Sequence, residues 1–218
     1  MGHTPLAWAA GNGHEGVVRM LLGRDDIDPE KPDEDGKTPL IRAACNGHEG
    51  LVKLLLERDD IDPDKPDVDG QTPLWWAAYN GCEGVAKILL GRDDVNPDRP
   101  DVVGETPLGC AARNDHGGVA KLLLERDDIN PDKPNEGGQT PLWWAALNGN
   151  EGLVRLLLGR DDVNPDTTSD SGQTPLLCAA MHSYGRVVRL LLGCEDEPDL
   201  DGEEIWSAIE EYYVKLEQ

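Results

Sequence analysis

Residues Gly70 to Pro97 read GQTPLWWAAYNGCEGVAKILLGRDDVNP, and the pattern of this stretch recurs along the chain. Its Thr-Pro-Leu starts at Thr72, and the same tripeptide starts at Thr4, Thr38, Thr106, Thr140 and Thr174. Each start lies 34 residues after the last, with nothing gained or lost between. A fixed period of that size marks one supersecondary unit repeated in a stack, where each copy buries its apolar face against its neighbours. Within the stretch, Thr72 is placed to cap a helix and Pro73 to occupy its first turn, where a missing N–H costs nothing. Leu74, Ala77 and Ala78 give that helix a small-residue face, and Asn80-Gly81 breaks it. The spacing of Val85, Ile88, Leu89 and Leu90 predicts a second helix over about 83–90. Arg92 to Asp101 then carries two prolines and several Asp/Asn residues, an extended, turn-rich loop ended by Gly104.

The whole chain is 218 residues with 43 acidic against 20 basic side chains, a formal charge of −23. That charge repels phosphate backbones and anionic membrane surfaces, so neither nucleic acid nor membrane is expected as a partner, and a basic protein is favoured. No apolar run approaches the ~18 residues a membrane span needs, and Met1-Gly2-His3 leads straight into the first Thr-Pro-Leu without a signal peptide. The five cysteines, Cys45, Cys82, Cys110, Cys178 and Cys194, form no CxxC pair, which fits a reducing, intracellular compartment.

Short helix, turn, longer helix and protruding loop, with Thr-Pro-Leu-x-x-Ala-Ala followed by Asn12-Gly13-His14 or Asn46-Gly47-His48, resembles the ankyrin repeat. Val17-Val18-Arg19-Met20-Leu21-Leu22 and its copies resemble the second helix of that family. The resemblance runs to about Gly193, and the wording is similar to the long arrays of filamentous fungi. The tetratricopeptide repeat shares a period of about 34 but lacks the Thr-Pro start and the acidic, Pro-rich loop. The expectation is an all-α solenoid forming a single domain over 1–218. Its six repeats fall at about 2–32, 33–66, 67–100, 101–134, 135–168 and 169–201, and a closing helix covers 203–218.

Three departures from the family pattern stand out. The period is 34 where about 33 is usual, and the second helix runs into Arg-Asp-Asp without a glycine for a left-handed cap. The family's His after Thr-Pro-Leu is replaced by Ala7, Ile41, Trp75, Gly109, Trp143 and Leu177. The sixth repeat degenerates, with Ser183-Tyr184-Gly185 in the turn and Cys194-Glu195-Asp196-Glu197 for Arg-Asp-Asp. In the closing helix Ile205, Ile209, Tyr212 and Leu216 share one face, as the open end of a stack requires. Repeat 1 is expected to leave its outer face bare, as a segment of a longer array or as a fraying end.

Columns on which the six copies agree are what the scaffold needs; columns that differ are open to a partner. The residue before Thr and the residues after Leu and after Ala-Ala differ, and the last two lie four apart on one helical face. Loop tips differ too. The candidate contacts are Gln71, Trp75 and Tyr79; Val102, Val103, Glu105, Gly109 and Arg113; Gln139, Trp143 and Leu147; and Met181. The resemblance places first helices and loop tips on the concave groove that grips partners. Trp75-Trp76 and Trp143-Trp144 flank Gly109-Cys110 in the repeat between them. Either the rings fill the room Gly109 leaves, or they wall an aromatic notch floored by Gly109 and rimmed by Tyr79, Arg113 and Leu147. Trp76 and Trp144 are expected in the core, with Trp75 and Trp143 as the notch walls.

Catalytic and metal chemistry find little support. Asp67-Val68-Asp69-Gly70 holds part of an EF-hand loop, but counting from Lys65 puts Trp76 at the twelfth position where a Glu is required. His14, His48 and His116 share a column with Cys82 and Asn150, yet packed helices lie roughly 10 Å apart, too far for shared zinc ligands at about 2.0–2.3 Å. They read as structural residues of the helix turn. There is no GxSxG or Cys-His signature and no Gly-rich phosphate loop. Cys110 and Cys178 read as small buried apolar residues. The resemblance permits hydroxylation of Asn96, Asn130 and Asn164. No cofactor is expected. The expected function is a non-catalytic protein-interaction scaffold acting as a monomer. The alternative is a recruiting arm of a larger enzyme or signalling protein, and a third reading is a structural spacer.

Overall fold

The computed structural model describes residues 4–194 and 202–216, with side chains described as far as 210 in the last helix. The described residues form helices and turns and no strand. Two compact units divide the chain, Met1–Ile129 and Asn130–Gln218.

In the first unit, four short helices open on Thr-Pro: α1 (Pro5–Gly11), α3 (Pro39–Cys45), α5 (Pro73–Tyr79) and α7 (Pro107–Arg113). Each is followed by a longer helix: α2 (Glu15–Leu22), α4 (Glu49–Leu56), α6 (Glu83–Leu90) and α8 (Gly117–Leu124). The first helices pack side by side in the order α1, α3, α5, α7, and the second helices in the order α2, α4, α6, α8. The second unit repeats the pattern with α9 (Pro141–Leu147), α10 (Glu151–Leu158), α11 (Pro175–Met181) and α12 (Gly185–Leu192), and α13 (Gly202–Leu216) packs on α12.

The reason these segments are helical is visible at their starts. Every Thr of Thr-Pro-Leu has extended backbone, and its Oγ1 accepts the N–H three residues on, at 3.1 Å from Trp75 and 3.2 Å from Ile41. The proline then fills the first helical position. The two alanines are buried in every copy, so the helices can approach closely. The turn between the helices needs a left-handed residue, supplied by Gly81 at φ 67° and its equivalents. Repeats 4 and 6 put Asp115 (φ 60°) and Ser183 (φ 58°) there instead.

The second helices α2, α4, α6, α8 and α10 end without a left-handed residue, Gly23, Gly91 and Gly159 standing at the C-cap with φ between −78° and −74°, whereas Gly193 at φ 72° does close α12 in the left-handed form, against the expectation. In the first unit the next repeat contributes a further donor to these ends. The Arg58 Nη1 donates to the Leu22 carbonyl that ends α2, and Arg92 Nη1 to Leu56 at the end of α4. Arg126 Nη1 donates to both Leu90 and Arg92 carbonyls, at 2.8 and 3.2 Å. Each guanidinium also grips the second Asp of its own Arg-Asp-Asp, as in Arg126 with Asp128. These arginines therefore neutralise the negative end of the preceding helix.

The recurrent histidine is structural as expected. His48 Nε2 lies 3.1 Å from the Gly11 carbonyl and His116 Nε2 lies 3.0 Å from that of Tyr79, tying each turn to the end of the previous first helix. In the second unit Tyr184 occupies this place, its ring over Gly149.

The outer face of repeat 1 is open: Val17 is 45% exposed where its equivalent Leu51 is 3% exposed. In the closing helix Ile205 and Ile209 are buried. Tyr212 and Leu216, the variant loop from Glu195, and His3 lie outside the described side chains.

Candidate functional site in the first unit

The loops between repeats are tight hairpins, each closed by its first polar residue. Asp67 shows the scheme. Its N–H donates to the Gln71 carbonyl at 3.1 Å, and its Oδ1 accepts N–H from Asp69 and Gln71. Gly70 makes the turn at φ 79°. Asp33, Asp101 and Asn135 do the same in their repeats. In each hairpin this side-chain oxygen, a carboxylate in Asp33, Asp67 and Asp101 and an amide in Asn135, is committed to backbone donors. Successive tips are joined, as where Val102 N–H donates to the Asp69 carbonyl at 2.9 Å.

The second oxygen of Asp67 accepts the indole Nε1–H of Trp76 at 2.9 Å. One repeat earlier, Arg42 holds the position of Trp76, and its guanidinium reaches Asp33 and Asp35, both at 2.6 Å. Burial opposes the Arg42 charge, but the two carboxylates outweigh it and raise its pKa. So the residue after the Trp75 column faces the hairpins.

This corrects the expected roles of the paired tryptophans. Trp75 is 3% exposed and Trp143 is 6% exposed, so both are core residues, while Trp76 and Trp144 are half-buried. The reason is the seating of the first helix: its third position lies between layers, with Ile41 and Gly109 buried in the same column. The Trp75 ring is further covered by Tyr79, stacked at 5.4 Å and 12°, as their spacing of four residues predicts. Glu105 is also corrected. It was placed among partner contacts but is 2% exposed, and a Cβ on Gly109 would collide with its Oε1. The room at Gly109 is filled by the Glu105 carboxylate. Gly109 itself is buried and offers no notch floor.

What the first unit does present is an open groove of about 590 Å³. Its lining includes the aromatic cluster of Trp75, Trp76 and Tyr79. The hairpin tips supply Glu34, Asp35, Val68 and Asp69, and Lys37, Gln71 and Arg113 complete the lining. Lys37 Nζ sits 3.5 Å from the centroid of the Trp76 ring. Tyr79 is 39% exposed and Val68 is 70% exposed. Of the expected contacts, Gln71, Trp75, Tyr79 and Arg113 line this groove, together with Glu34, Asp35, Lys37, Val68, Asp69 and Trp76, which were not among them. Lys37 stands in the same variable column as Gln71, a signal that could have found it. Val102 and Val103 are exposed on the next tip. In the second unit Met181 is exposed, and Gln139 and Leu147 are half-buried.

The described residues carry little reactive chemistry. Burial pushes the Cys45 and Cys178 thiols up to about 11, and Cys110 higher still, so their thiolates are suppressed. Among the described residues, no group of three or more His, Cys, Asp or Glu could hold a metal ion. No described helix is long and apolar enough to cross a membrane.

Comparison with known proteins agrees with the repeat architecture. The family described as ankyrin repeats (3 copies) matches residues 1–67, 60–135 and 128–202. The chain belongs to the ankyrin repeat family. Among solved structures it is similar to the ankyrin repeat domain of Bcl-3, a member of the IkappaB protein family. There the TM-score is 0.79 at 23% identity, covering 96% of this chain and 99% of that one. It is also similar to a chain in the complex of the Bd0816 predatory endopeptidase from Bdellovibrio bacteriovorus with the immunity protein Bd3460. That match has a TM-score of 0.76 at 28% identity, with 88% and 99% covered. No curated protein matches the sequence.

Proposed function

We propose that this chain is a non-catalytic protein-interaction scaffold that holds a basic partner in the groove of its first unit. The observation that carries the reading is a set of polar groups beside an aromatic cluster that the fold does not use. The side chains of Asp69, Gln71 and Tyr79 make no hydrogen bond among the described residues, although all three line the groove. A scaffold that needs only to stack has no use for them, and nine of the ten lining positions fall in the helix columns and loop tips that vary between repeats. The charge of −23 favours a basic partner by steering its approach. The Bd0816 complex, a protein bound to an immunity protein, is consistent with a protein as partner. Val102, Val103 and, in the second unit, Met181 extend the candidate contacts. The protein acts as a monomer in this reading.

The test is site-specific crosslinking. A photoreactive residue at position 79 should capture a discrete partner from extracts of the source cells. The same group at Lys87, exposed on the second helix α6, should not. Equal capture at the two positions, or none at 79, would remove the groove as the binding surface.

A further inference from the structure

We propose that the open face of the Trp76 indole is a cation seat, held in the free protein by Lys37 and taken in the complex by an arginine side chain of the partner. This deepens the groove reading and rests on it. The platform is fixed while its occupant is not. Nε1 of Trp76 is anchored to Asp67, and the ring stands edge-on to Trp75 (5.2 Å, 73°) and to Tyr79 (5.5 Å, 67°). Lys37, by contrast, makes no ion pair among the described residues; its ammonium is placed by the ring alone, at 3.5 Å from the centroid. A cation–π contact at a partly exposed site is a weak hold, and lysine is a long, flexible side chain that returns to water at little cost.

The groups around the seat fit a guanidinium better than an ammonium. A planar guanidinium can lie on an indole and still direct its edge N–H groups to a carboxylate; the compact ammonium offers no such fork. The carboxylate of Asp69, which also lines the groove, makes no hydrogen bond or ion pair among the described residues, and the Gln71 amide can receive the partner's backbone. The chain carries its own version of the arrangement. One repeat earlier the position of Trp76 is an arginine, Arg42, whose guanidinium is held by Asp33 and the hairpin-tip residue Asp35. Asp69 stands in the Asp35 column, with no arginine of its own repeat to serve. Among the lining residues Glu34, Asp35 and Asp69 are acidic and Lys37 and Arg113 basic; with Asp35 already paired to Arg42, departure of Lys37 leaves Glu34 and Asp69 against Arg113, an acidic excess for a partner cation.

The experiment titrates the full chain with arginine amide, and with citrulline amide as a neutral mimic of the same shape. The readout is the Trp76 indole N–H resonance, assigned by its loss in Trp76→Phe. Arginine amide should shift that resonance saturably and citrulline amide should not. Lys37→Ala, by removing the internal competitor, should tighten arginine amide about two- to fivefold, and Asp69→Asn should weaken it about threefold or more. Equal response to citrulline amide, or unchanged or weaker binding in Lys37→Ala, would overturn the seat. Partner capture through position 79 together with an inert arginine amide removes the seat and leaves the groove; failure of both removes both.

Discussion

Arg126 and Arg24 make the same local fork to the second Asp of Arg-Asp-Asp, to Asp128 and to Asp26, but only Arg126 reaches a neighbouring repeat. Replacing each by alanine therefore separates an exposed ion pair from a helix cap supplied in trans. In Arg126→Ala the carbonyls of Leu90 and Arg92 lose a charged donor in a half-buried place, where Arg126 retains 21% exposure. A hydrogen bond to a charged group contributes about 1.5–3 kcal/mol net when buried, less at partial exposure. The fork to Asp128, itself 55% exposed, adds no more than about 0.5 kcal/mol. The expected loss is about 2–3 kcal/mol, read from urea unfolding followed by circular dichroism. Because a stack couples only through neighbouring repeats, the loss should fall on the junction of repeats 3 and 4 and broaden the transition. Arg24→Ala should be indistinguishable from wild type. The Asp128→Asn variant keeps the carbonyl bonds and should lose only the small ion-pair part. Arg126 holds the Asp128 carboxyl below its usual range. That part is therefore fully present above the ordinary carboxylate pKa and fades as pH falls through the lowered value. Equal losses for Arg126→Ala and Arg24→Ala would refute the cap in trans.

Three further outcomes follow from particular residues. Ser183→Gly should stabilise the second unit by about 0.5–1 kcal/mol in thermal melts, since Ser183 is held at φ 58°; a loss would mean the serine side chain does more than tolerate the turn. Gly109→Ala should cost about 1–3 kcal/mol by crowding Glu105, and almost nothing in a Glu105→Ala background, as a double-mutant cycle would show. Strict additivity would clear Glu105 as the obstacle. Mass spectrometry after brief maleimide treatment of the folded protein at pH 8 should find Cys194, which is exposed, modified first. Cys178, with a thiol pushed up to about 11, is about 0.1% thiolate at that pH, and Cys110 less, so both should wait for unfolding.

The sequence by itself determined the repeat, its phase and its helices. A Thr-Pro start, an Asn-Gly break and leucines at helical spacing act over four residues or fewer, and the structure places α5 at Pro73–Tyr79 and α6 at Glu83–Leu90 accordingly. The copies also made Gln71, Tyr79 and Arg113 legible as variable positions, and these line the groove. What only the tertiary structure decided is which side of each helix pair is covered and which contacts the loops and neighbouring repeats make with it. Trp75 and Trp76 are identical residues, adjacent in sequence. One is buried between layers and the other bonds a hairpin aspartate nine residues back, and nothing local distinguishes them. Glu105 looks like a surface glutamate until Gly109 is seen to leave room for it. Arg126 looks like half of a surface ion pair until the end of α6 is brought under it. Lys37 and Trp76 belong to different repeats, and only stacking sets the ammonium over the ring. Local rules specify each helix pair; which face stays open is settled when the next pair lands on it, because burial is a property of the stack.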